Sequence, residues 1–102
     1  MKTRSRINFE TVNRAALARL PDLCAQWLPD GRRRGVEYVA RNPLRADRSV
    51  GSFSVNLNTG RWADFAIGAR GSDPVSLAAY LSGLGQAEAA RRLADMLGVH
   101  HG

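Results

Sequence analysis

The chain has little cysteine, little histidine and little lysine, and each shortage removes a class of chemistry. Its single cysteine, Cys24, cannot form an internal disulfide, which fits a reducing cytoplasm. Its two histidines, His100 and His101, stand side by side at the end of the sequence. A hydrolase triad needs a positioned histidine inside the fold, so such a triad is not expected. No apolar run approaches the roughly 20 residues that span a bilayer, and no membrane association is expected. The basic N-terminus lacks the apolar stretch of a signal peptide. There is no Walker loop, no dinucleotide fingerprint and no pair of carboxylates at catalytic spacing. The expectation is a protein that is not an enzyme, with no catalytic residues and no cofactor.

What is present is arginine. Of 15 basic residues only Lys2 is a lysine, and 9 acidic residues leave a formal charge of +6. Arginine forks onto phosphate oxygens and stacks on flat rings, where lysine acts as a point charge. The charge is also uneven. Residues 31–70 hold eight arginines against Glu37, Asp47 and Asp64, a local sum of +5. Residues 1–30 sum to +2 and residues 71–102 to −1. A GC-rich coding sequence would raise Arg, Ala and Gly together, but it accounts less well for the clustering.

A length of 102 residues suits one domain with one core. Residues 8–29 read as helical, with Asn8 as a cap. Phe9, Val12, Ala16, Leu20, Leu23 and Trp27 recur at helical spacing. Pro21 either ends one helix or opens a second. Residues 35–67 read as a small antiparallel sheet. VEYVA and SFSVNL alternate, Asn58-Thr59-Gly60 is a hairpin signal, and RWADF returns. A three-residue loop sets Val55 opposite Ala63 and Phe53 opposite Phe65. That register buries Phe53, Val55 and Phe65 and leaves Trp62 on the polar face with Ser54 and Asn56. GARG is read as a loop. Ser72 or Asp73 caps a helix pair over 73–97, with Pro74 in its first turn and breaks at Gly83 and Gly85. The fold class is α+β: a small sheet of three or more strands flanked by N-terminal and C-terminal helices.

The stretch from Tyr38 to Leu81 resembles the zinc-ribbon domain at the N-terminus of bacterial DnaG-type primases. The text that carries the likeness is YVARNPLR, ADRSVGSFSV, NLNTGRWADFAI, GARGSD and PVSLAAYL. It covers about 45 residues, including Trp62 before the second ligand pair and the framing Gly68 and Gly71. The stretch SGLGQAEAARRLADMLG is similar to the helical segment after this module in primase-like proteins of phages, plasmids and integrated elements. The likeness departs at the metal. The Cys-x-x-His positions fall on Asn42 and Arg45, and the Cys-x-x-Cys positions on Asp64 and Ile67. Zinc takes four thiolate or imidazole donors, so no metal is expected. Asp64 with Arg45 or Asn42 nearby would replace the ion by a salt bridge or hydrogen bond.

In that family the ribbon binds template single-stranded DNA, and the resemblance implies the same role here, in DNA replication on a mobile genetic element. The residues suit it independently. Single-strand binders join a cationic groove to aromatic platforms. Arg32, Arg33, Arg34, Arg41, Arg45, Arg48, Arg61 and Arg70 would contact phosphates, and Trp62, or Tyr38, would stack a base. A core role for Trp62 and a merely solvated turn at 32–34 are the plainer readings. GARGSD also resembles a phosphate cradle, although Asp73 would fill it. A different class of function is a protein–protein adaptor or inhibitor that has lost DNA binding. It would dock a replicative helicase or primase component through Tyr80, Leu84 and Met96.

Overall fold

In the computed structural model of the chain, residues 7–44 and 52–100 are described. Among them are four helices and five strands. Helices α1 (Phe9–Ala18) and α2 (Leu20–Trp27) come first. Strands β1 (Arg32–Arg34), β2 (Glu37–Ala40), β3 (Phe53–Asn56), β4 (Trp62–Asp64) and β5 (Ala69–Gly71) come next. Helices α3 (Pro74–Ser82) and α4 (Gln86–Leu97) complete the chain. The strands form one antiparallel sheet in sequence order, and the class is α+β. No helix among the described residues is long and apolar enough to cross a membrane.

The helix boundaries obey local chemistry. Asn8 Oδ1 accepts the Thr11 N–H at 3.1 Å and opens α1. Pro21 lies in the first turn of α2, where a missing N–H costs nothing. Asp73 and Ser76 form a reciprocal capping box on α3. Gly83 and Gly98, both left-handed, end α3 and α4.

One face of the sheet carries the core. Tyr38, Ala40, Phe53, Val55 and Trp62 pack against Val12, Ala16, Leu20 and Leu23 of the first two helices, and against Val75, Leu77, Ala90 and Leu93 of the last two. Phe53 stacks on Trp62 at 5.8 Å and on Tyr80 at 6.1 Å, and Trp62 meets Tyr80 at 4.8 Å. These rings join β3, β4 and α3 by apolar area and ring geometry together.

The sheet of three or more strands has five, with one beyond each end of the three read from the sequence, and two details differ from that reading. The triple arginine is not a turn but β1, paired with β2 across Gly35, whose φ of +61° suits glycine in a two-residue turn. Within GARG, Ala69–Gly71 pairs with β4. The β3–β4 register is also shifted by one residue. Val55 faces Trp62 and Phe53 faces Asp64. The turn holds four residues, 57–60, because Asn56 Oδ1 accepts both the Asn58 and Thr59 N–H groups and the Asn56 carbonyl takes Gly60 N–H. Leu57 N–H meanwhile bonds to Val36 O. A slip of one residue exchanges the two faces of a strand. Trp62 is therefore core at 5% exposure, and Phe65 is 76% exposed.

Candidate functional site

Cross-strand partners share a face, so the register assigns each arginine a side. Arg32, Val39, Ser54, Ala63 and Arg70 form one row across the face turned away from the core. Arg34, Glu37 and Asn56 form a second row, extended by Arg61, whose carbonyl accepts the Asn56 N–H at 2.7 Å. Phe65, whose N–H bonds to Ser52 O, continues the alternation on the same side as Ala63. The outer face thus carries Arg32, Arg34, Arg61, Arg70 and Phe65, all exposed. Among the described residues none of these four arginines is in an ion pair. A shallow depression of about 730 Å³ lies on this face, and its walls include Glu37, Ser54, Arg61, Phe65 and Arg70.

The centre of the face is acidic and ordered. Ser54 Oγ donates to Glu37 Oε1 at 2.5 Å, and Asn56 Nδ2 donates to Glu37 Oε2 at 3.2 Å. Asn56 Oδ1 is held by its turn, which fixes the amide with its nitrogen toward the carboxylate.

The other expected site residues are distributed differently. Arg33 pairs with Tyr38 and so lies on the helix side, where its Nε donates to Gly35 O at 3.0 Å. Arg41 is exposed but borders a separate crevice with Trp27, Pro29 and Asp30. Arg45 and Arg48 lie outside the described residues. Trp62 is not a stacking platform: it is buried, and its Nε1 donates to Ser76 Oγ at 3.0 Å. Tyr38 is buried too, with its hydroxyl donating to Leu28 O at 2.8 Å. Phe65, expected in the core, is the aromatic side chain the open face offers. Both misassignments came from the three-residue loop. The signal against it was Asn56, a residue type whose side chain competes for backbone N–H groups in turns.

The start of α3 is no phosphate cradle. Its Val75 N–H bonds to Asn13 Oδ1 at 2.9 Å and its Ser76 N–H to Asp73 Oδ1 at 2.8 Å.

Two of the four positions matched to metal ligands do meet. Asn42 and Asp64, 1% and 0% exposed, are joined by Asn42 Nδ2 donating to Asp64 Oδ2 at 2.9 Å. The same nitrogen donates to the Tyr80 hydroxyl oxygen at 2.8 Å. Asn42 Oδ1 accepts Leu44 N–H at 2.8 Å, and Asp64 Oδ1 accepts Ala66 N–H at 2.9 Å. A donor amide thus meets the carboxylate at this position. Ile67 is 54% exposed and has no donor atom in its side chain. These residues do not fit zinc. Among the described residues no three His, Cys, Asp or Glu side chains gather as a metal cluster.

An apolar groove of about 380 Å³ runs between the last two helices and the loop after β2, lined by Trp27, Leu44, Leu81, Leu84, Leu93 and Met96. Tyr80, one of the expected adaptor contacts, is instead engaged with Asn42 and the aromatic stack. The free thiol of Cys24 is buried, and burial pushes it up to about 12. Desolvation also raises the Tyr38 phenol, with a smaller contribution from Cys24. No protein-family model matches this chain, and no curated protein matches it.

Proposed function

We propose that the open face of the sheet binds single-stranded nucleic acid, DNA in the first place, as a non-catalytic module akin to the template-binding ribbon of mobile-element primases. The observation that supports this reading most is the shared side of Arg32, Arg34, Arg61, Arg70 and a 76% exposed Phe65. Guanidinium groups with no ion-pair partner among the described residues are available to phosphates, and an uncovered aromatic ring can stack on a base. The sheet supplies a rigid spacing between them. In this reading the role of platform passes from Trp62 to Phe65. The Asn42–Asp64–Tyr80 hydrogen bonds stand in for the metal of the ribbon it resembles. The reading is tested by fluorescence anisotropy of a labelled oligothymidylate at two salt concentrations. Binding at low salt that weakens steeply with added salt supports it, and no binding at low salt rejects it.

A second reading, the adaptor, is favoured by the apolar groove around Leu84 and Met96. An apolar anchor would hold a helicase or primase component with little dependence on salt. The same salt series separates the two.

A further inference from the structure

The acidic centre of the cationic face has no use in holding phosphates. A carboxylate amid four arginines weakens the attraction for a polyanion, yet Glu37 is fixed there by Ser54 and Asn56. Each carboxylate oxygen has two lone pairs, and each accepts one hydrogen bond from the described neighbours. These bonds use one lone pair on each oxygen, and Glu37 lines the same depression as Arg61, Arg70 and Phe65. We propose that Glu37 reads the Watson–Crick edge of an unpaired guanine, a proposal that rests on the nucleic-acid reading of the same face.

Guanine is the base whose edge offers two adjacent donors, N1–H and the N2 amino group, to two adjacent carboxylate oxygens. Cytosine offers one donor, the N4 amino group, beside an acceptor. Adenine likewise sets its N6 amino group beside the N1 acceptor, which would face an oxygen. Thymine places carbonyls on both sides of its one N–H. The adjoining major-groove edge of guanine carries O6 and N7, two acceptors that suit a guanidinium. Arg61, Arg70 and Phe65 line the same depression as Glu37, so carboxylate and guanidinium groups are available to adjoining edges of one base and an aromatic ring to its face. Glu37 is a specificity-determining residue in this arrangement. The outer arginines supply affinity without regard to sequence.

The test is anisotropy at low salt with an eight-residue oligothymidylate and the same strand bearing dG, deoxyinosine, dC or dA at one central position. The unmodified protein should bind the dG strand about tenfold more tightly than oligothymidylate. Deoxyinosine, which lacks the N2 amino group, should lose most of that gain. E37Q should bind the dG strand and oligothymidylate alike, with oligothymidylate affinity equal to or above that of the unmodified protein. Equal affinity for dG and dT strands, equal affinity for dG and inosine strands, or a preference for dC overturns the inference while oligothymidylate binding keeps the broader reading intact. A dG preference that survives in a folded E37Q overturns it as well. If no strand binds, both fall. The base series needs no variant, so it decides the question even if E37Q does not fold.

Discussion

At the scale of single residues, Asn42 shows why a buried polar group needs all its partners. Its amide nitrogen serves Asp64 and Tyr80 while its oxygen takes the Leu44 N–H. Asn42→Ala would leave a buried carboxylate short of a donor, at a cost of about 2–3 kcal/mol. Urea unfolding should show that loss in the midpoint. Tyr80→Phe removes only the hydroxyl acceptor and should cost about 1 kcal/mol. Cys24 gives a pH prediction. Its thiol ionises near 9 when unfolded and is pushed up to about 12 when folded. The folded state then holds a proton that the unfolded state has released. Stability from this group is complete below pH 9 and is lost as pH rises toward 12. Tyr38 acts in the same direction above its ordinary value of 10. Denaturation midpoints should fall above pH 9, and Cys24→Ala should make the fall shallower.

At the scale of elements, the β3–β4 hairpin decides which aromatic ring is structural and which is free. Trp62→Ala should cost about 3–5 kcal/mol, because the buried ring packs on both Phe53 and Tyr80 and its Nε1 is bonded. Phe65→Ala should leave the melting temperature nearly unchanged. If Phe65 stacks on a base, the same variant should weaken oligothymidylate binding about tenfold. Calorimetry and anisotropy on the two variants check this exchange of roles. β1 has a second physical use: three arginines on an edge strand discourage pairing with another sheet edge.

At the scale of the molecule, helices cover one face of the sheet and leave the other to the arginines. Arg61→Ala and Arg70→Ala should each lower the slope of log affinity against log salt by about 1. Arg33→Ala should not, because the register turns Arg33 to the helix side. Titration of the three variants across a salt series checks the assignment of faces. Since Asn42 brings a donor amide to the Asp64 carboxylate and Ile67 has no donor atom, chelators and added zinc should both leave the melting curve unchanged.

The sequence by itself determined the helices and the α+β class, because caps, prolines, glycines and hydrophobic periods are local signals. Asn8, Pro21, Asp73 and Gly83 act as read. It also brought Asn42 and Asp64 into one conjecture, since a family likeness aligns positions that are distant in the chain. Tertiary structure alone decided which side of the sheet each residue takes. That depends on one extra residue in the turn after Asn56, set by where its side chain finds hydrogen bonds. It likewise decided that Arg32–Arg34 is a strand, since a short charged edge strand has no pattern of its own and exists through its pairing with β2.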